Sequence, residues 1–279
     1  MQTSTRTDQI RRRAMTDTML ESLEVLRVGH GRPLLVLHGP TTLAAELPFV
    51  RALGEQAEVI APAHPGFAGS PRPEAFDSLY DLVHLYLALL DALPFPSVTV
   101  VGLSFGGWIA AELATLGPPK LGRLVLVDAV GIKLGGRTER DITHLFNTPP
   151  AELEARSWHD ARRRPRGPFG LGWQQHVDEL SDPELVVVAR NWDALCLYAW
   201  RPHLFNPRLA DWLHRIRVPT LVLWGAADRI VSVDYGRAYS RLIVGARFET
   251  IAQAGHHPEL EQPAACVERI MSFLDQTDA

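Results

Sequence analysis

Cysteine is scarce in this chain: Cys196 and Cys266 are the only two among 279 residues. Each sits in an apolar, helix-like stretch, so there is neither a disulfide framework nor the paired spacing of metal ligands. No apolar run reaches the ~18–20 residues that a membrane helix needs. The start, Met1-Gln2-Thr3, leads into no apolar stretch before a small-residue cleavage site, so no secretory leader is expected. A reducing, cytoplasmic setting follows as the expectation, with no membrane partner. Charge of one sign is also lacking, since 28 Lys and Arg stand against 32 Asp and Glu for a net −4. Arg11-Arg12-Arg13 and Arg162-Arg163-Arg164-Pro165-Arg166 then read as solvated faces, and no nucleic acid is expected. No glycine loop with a following Lys opens a helix, so no nucleotide is implied. Neither cofactor nor metal is expected, and no internal repeat is evident.

What the chain has in quantity is apolar residue, 46 % of the total against 22 % charged. A chain of this length and composition buries a large core without staples. β-like runs fall near 23–28, 34–37, 57–61, 97–101, 123–127, 219–224 and 246–251, with helical patterns between many of them, as at Asp77 to Leu93 and Ala264 to Leu274. Strands alternating with helices predict an α/β fold, a mostly parallel sheet with helices on both faces. Gly29-His30-Gly31 between the first two runs reads as a hairpin signal. Across roughly 131–212 the β-like runs stop, and five of the 7 tryptophans gather there: Trp158, Trp173, Trp192, Trp200 and Trp212.

The most informative segment is Gly102-Leu103-Ser104-Phe105-Gly106-Gly107. It follows the run Val98-Thr99-Val100-Val101 and precedes an alanine-rich helical pattern, so it reads as strand, sharp turn, helix. A serine hydroxyl is a weak nucleophile until its surroundings activate it. A tight turn lifts Ser104 above the sheet, and the N–H of the next residue, Phe105, then faces a developing oxyanion. The serine needs a base, and the base an orienting acid. Asp228, in Gly225-Ala226-Ala227-Asp228, lies just past a strand run, where open α/β sheets bind ligands. His256 follows the last strand run in Gly255-His256-His257-Pro258. Pro258 holds His257 extended, which favours His256 as the base. Asp128, ending the run Arg123 to Val127, is the alternative acid.

With His38-Gly39, His64-Pro65-Gly66-Phe67, the serine motif, Gly225 to Asp228 and Gly255-His256…Glu261-x-Pro263, the chain resembles the α/β-hydrolase fold superfamily from about Glu21 onward. The resemblance implies a core over 21–130 and 213–279, an N-terminal extension over 1–20, and a helical cap over 131–212. It implies a Ser104–His256–Asp228 triad and an oxyanion hole of two donors. Phe105 matches one of them. The other falls on Pro40, which has no N–H, so Thr41, through its N–H or hydroxyl, or the Thr42 hydroxyl, is the expected substitute. The tryptophans are expected chiefly to join cap to core, with one or two lining a pocket; His64 is expected to be structural or solvated. The implied activity is a serine hydrolase acting on a small to medium apolar ester, lactone or related carbonyl compound. C–C bond cleavage by the same fold, or ligand binding without turnover, are the alternatives.

Overall fold

Alternate residues on the central strands split between two cores. On β2 (Pro33–Leu37), Leu35 and Leu37 join one apolar cluster, Leu34 and Val36 the other. β5 (Leu121–Val127) repeats this with Leu124 and Leu126 against Val125 and Val127, and β6 (Thr220–Gly225) with Val222 and Trp224 against Leu221 and Leu223. A strand apolar on both faces must be covered on both, which is the condition for a parallel sheet. The computed structural model describes residues 18–136, 138–171 and 173–276. The Arg11–Arg13 cluster and most of the expected 1–20 extension lie outside the described residues.

The sheet has seven strands in the order β1-β3-β2-β4-β5-β6-β7, with β1 (Val25–Val28), β3 (Glu58–Pro62), β4 (Val98–Leu103) and β7 (Arg247–Ile251) completing the set. Every pairing is parallel except β1 with β3. The expected hairpin of the first two strands is therefore corrected: β1 runs antiparallel to β3, and β2 lies on the far side of β3. Gly29 explains the detour. It has φ +80°, and a Cβ there would fall 2.2 Å from the carbonyl oxygens of Ala57 and Gly54. Glycine lets the chain pass over the connection from Gly54 to β3 rather than turn back on itself.

On one face lie α1 (Pro48–Gly54) and α9 (Pro263–Leu274), which buries Cys266, Val267, Ile270, Met271, Phe273 and Leu274. On the other lie α2 (Leu79–Ala92), α3 (Phe105–Thr115) and α7 (Val233–Leu242). Capping is explicit at two ends. Asp81 accepts from the Ser78 N–H at 3.1 Å, and Ser232 accepts from the Tyr235 N–H at 3.2 Å.

Between β5 and β6 no strand joins the sheet among the described residues. The chain there forms α4 (Pro150–Ser157), 3-10 turns, α5 (Asp182–Ala199) and the short α6 (Leu209–Trp212). Leu153, Leu171, Leu195, Tyr198 and Leu213 continue the cluster beneath α3. Each such buried side chain contributes roughly 1.5–3 kcal/mol, which fastens this segment over the C-terminal ends of the strands. The tryptophans divide. Trp158 is buried, whereas Trp200 and Trp212 are 39 % and 51 % exposed, and the Trp200 ring packs against Phe146 and His144 of the same segment. Among the described residues no helix is long and apolar enough to cross a membrane.

Candidate active site

Ser104 follows β4 and caps α3, with φ +49° and ψ −110°. A non-glycine residue there is strained by about 1–3 kcal/mol and must be held by its neighbours. The holding is visible: the Ser104 N–H donates to the Val127 carbonyl at 2.9 Å, and its carbonyl accepts from Trp108 and Val130. Gly106 makes the turn possible, since a Cβ there would sit 2.1 Å from the Leu37 carbonyl oxygen. α3 can thus rest directly on the end of β2. The Phe105 N–H is the first of α3 and has no carbonyl one turn back within the helix. Its partner must therefore come from outside the helix.

Asp228 and His256 arrive on neighbouring loops, past β6 and β7. His256 Nε2 lies 2.8 Å from Ser104 Oγ, and His256 Nδ1 lies 2.8 Å from Asp228 Oδ2. The hydrogen-bond network assigns the tautomer: Nδ1–H donates to the carboxylate, and Nε2 accepts from the hydroxyl. Asp228 Oδ1 accepts from the N–H groups of Ile230 and Val231 at 2.8 and 3.1 Å. All three side chains are buried, with Ser104 at 7 %, Asp228 at 5 % and His256 at 2 % exposure. The structure thus brings together the three residues singled out in the sequence. His257 points elsewhere, with Nε2 accepting from the Leu171 N–H and Nδ1 3.5 Å from Glu259.

Glu261 shows why the histidine loop has its spacing. Its buried carboxylate accepts from the N–H groups of Gly255, His159 and Asp160 at 2.6, 3.1 and 2.8 Å. The His256 N–H donates to the Ser157 carbonyl at 2.6 Å. One side chain therefore ties the loop carrying His256 to the segment that follows α4. Sequence reasoning had the spacing but not this contact.

The opposite flank of Ser104 is built by histidines. His38 Nδ1–H donates to the Gly39 carbonyl at 2.7 Å, and its Nε2 accepts from the His64 N–H at 3.0 Å. His64 Nε2–H donates to the His38 carbonyl at 2.9 Å, and Nδ1 accepts from the Tyr86 hydroxyl at 2.5 Å. Burial holds both rings neutral. His38 is pushed down to about 4, and His64 is driven well below the ordinary imidazole range by burial and then by the neighbouring His38. This network locks the turn that presents Gly39, Pro40 and Thr41, so His64 is structural and fully buried rather than solvated. The signal available in the sequence was the pair His38-Gly39 and His64-Pro65-Gly66, though not their mutual contact.

Ser104, His256, Pro40, Thr41, Thr42, Phe169 and Glu259 line one small cavity of about 20 Å³. A neighbouring space of about 10 Å³ adds Trp173 and Trp192 to Pro40 and Thr41. So Thr41 does reach the cavity of the serine, and two of the tryptophans approach it. A volume this small holds about one water, so the site is closed. A larger cavity, about 680 Å³, is lined by Asp228 together with Arg140, Arg156 and Arg229, and neither Ser104 nor His256 lines it.

A serine at a strand-to-helix elbow, a histidine within hydrogen-bonding reach and a carboxylate behind it, all at the C-terminal edge of a parallel sheet, form an arrangement suited to hydrolysis. Residues 34–269 match the alpha/beta hydrolase family, and the chain belongs to it. A 2-hydroxymuconate semialdehyde hydrolase of Pseudomonas sp. (strain CF600) is 29 % identical over 90 % of this chain and 89 % of its own length. A poly(3-hydroxyalkanoate) depolymerase of Ectopseudomonas oleovorans is 28 % identical over 88 % and 86 %. The polyketide synthase ThaQ of Burkholderia thailandensis is 30 % identical over 95 % of this chain, which spans only 13 % of that far longer protein. Among solved structures, a meta-cleavage product hydrolase from Pseudomonas fluorescens IP01 superposes with a TM-score of 0.70 at 20 % identity, covering 91 % of this chain and 94 % of its own. At that identity the likeness is one of fold.

Proposed function

We propose that the protein is a serine hydrolase that cleaves a small to medium apolar ester, lactone or related carbonyl compound through an acyl-enzyme. The observation that carries this reading is the unbroken hydrogen-bond chain from Ser104 Oγ through the His256 ring to Asp228. Ser104 Oγ attacks the carbonyl carbon while its proton passes to His256 Nε2, and Asp228 holds the resulting imidazolium. The Phe105 N–H and a donor from Thr41 take the negative charge that develops on the carbonyl oxygen. His256 then returns the proton to the leaving alcohol. Water, giving its proton to the same Nε2, attacks the acyl carbon and frees Ser104. Residues 131–212 act as a cap that excludes bulk water, and Phe169, Trp173 and Trp192 favour an apolar acyl group.

A second reading is C–C bond hydrolysis of a dienone acid, favoured by the relative that hydrolyses 2-hydroxymuconate semialdehyde. There the leaving group is a carbanion that must be protonated at carbon. A fluorophosphonate probe followed by intact mass tests the common core of both readings. One adduct is expected on the native protein and none on Ser104→Ala. Labelling that survives this substitution overturns both. Turnover of a panel of short acyl esters, set against a 2-hydroxy-6-oxo-dienoate, then separates ester from C–C cleavage.

A further inference from the structure

A second carboxyl group lies beside the triad. Asp128 follows β5 with φ +44°, a conformation that L residues rarely adopt. It is 1 % exposed. Its N–H donates to the Leu223 carbonyl at 3.0 Å, and its Oδ1 accepts from the Gly225 N–H at 2.9 Å. Its Oδ2 is wholly buried and has no hydrogen-bond partner. One atom each from Asp128, Asp228 and His256 lie within 4.8 Å of one another, so the two carboxyl groups are immediate neighbours.

Counting donors separates the two acids. Asp228 accepts two backbone N–H bonds and the imidazole N–H, so both its oxygens are supplied. Asp128 accepts one N–H, and its other oxygen faces no donor. A buried, unpartnered anionic oxygen beside a second carboxylate is doubly unfavourable, first by desolvation and then by repulsion. One proton removes both costs. Resting on the triad reading above, we propose that Asp128 is a positioning residue whose Oδ2–H donates to the Asp228 carboxylate and so fixes the acid that orients His256. Asp228 is thereby held from three sides, and the His256 ring cannot rotate without breaking a four-membered network.

Burial, and then the charge of Asp228, drive the Asp128 carboxyl well above the ordinary range. The titratable groups around it agree in sign. Asp228 on the β6–α7 loop and Glu259 on α8 (Pro258–Glu261) oppose a charge at Asp128, and Cys266 on α9, itself raised in part by Asp128 and Glu259, adds none. The opposing influence is the single Gly225 N–H. His256 is held by Asp228 rather than by Asp128.

The test compares Asp128→Asn with Asp128→Ala. Asparagine keeps both bonds, its Nδ2–H donating to Asp228 and its Oδ1 accepting from Gly225. It is expected to retain kcat within about tenfold, whereas alanine, which leaves two groups unpaired, loses about a hundredfold. The acid limb of the kcat/KM profile separates a neutral Asp128 from a charged one, and the infrared band below is the readout that a merely structural role would not move. Exchanging a neutral acid for a neutral amide leaves the limb in place; removing a negative charge from beside His256 would shift it down by about one pH unit. Independently of any substrate, the infrared spectrum of the native protein at neutral pH should contain the C=O band of a buried protonated carboxyl that disappears in Asp128→Asn. Absence of that band, a shifted acid limb, or one tightly bound zinc ion per chain lost in Asp128→Asn would overturn the proposal. Should Asp128→Ala fail to fold, the asparagine variant alone decides. An enzyme inert on every ester would sink the functional reading and leave the infrared result intact.

Discussion

Two histidine clusters flank Ser104, and both are buried. On one flank, His256 sits between a hydroxyl and the Asp228 carboxylate, which accepts three N–H bonds. On the other, His38 and His64 sit among carbonyls, an N–H and the Tyr86 hydroxyl, with no carboxylate hydrogen-bonded to either ring among the described residues. Burial is equal, yet one flank is wired for a proton to pass and the other is locked neutral. The difference teaches that the partners of a buried group, more than its depth, decide what it can do. Asp128 and Asp228 repeat the lesson within one flank: two neighbouring acids with the same burial and different numbers of donors.

The comparison breaks most visibly at Asp228. Asp228→Asn puts an amide where the imidazole N–H must be accepted and favours the wrong tautomer, so kcat on a chromogenic ester should fall by about 10⁴-fold. A loss below tenfold would move the acid role elsewhere, with Asp128 the neighbour to examine. The opposite flank answers to Thr41. With Pro40 unable to donate, Thr41→Val tests the Thr41 hydroxyl as an oxyanion donor: a drop of about 10²–10³-fold in kcat assigns it, and near-native turnover leaves the Thr41 N–H or the Thr42 hydroxyl.

Smaller effects come from titration. Folded His38 is pushed down to about 4 from an ordinary 6.5, so between those values the unfolded chain takes up a proton that the folded chain refuses. Stability is therefore complete above pH 6.5 and is lost as pH falls toward 4, with His64 acting in the same direction. Thermal melts of native protein and His38→Asn across this range should converge at low pH. Parallel curves would mean that the ring is not held neutral. Asp128 has the opposite slope. The folded chain keeps a proton that the unfolded chain releases above 3.8, so its contribution weakens as pH rises. The Tm of Asp128→Asn should accordingly gain on the native protein from pH 5 to pH 8; a constant difference would contradict a retained proton.

Strand runs, the serine elbow and the two loop residues were legible because each rests on local pattern: apolar strands, a glycine pair around Ser104, a polar residue just past a strand end. The β1–β2 hairpin was misread because three residues with two glycines look like a turn. Whether strands pair across such a turn depends on what else competes for the edge, and β3 won it. The tryptophans of 131–212 were legible as a group but not one by one, since a ring's position on a helix does not say whether a neighbour covers it.

The sequence by itself determined the sheet with two apolar faces, the turn that exposes Ser104 and the chain order of serine, acid and histidine, because those follow from side-chain periodicity and from steric limits on adjacent residues. Only the tertiary structure decided that Glu261 fastens the histidine loop, that His38 and His64 brace the opposite turn, and that Asp128 lies against Asp228. Those contacts join residues 26 to 102 positions apart. No local preference fixes such distances; they are set by how the loops at one edge of a twisted sheet pack together.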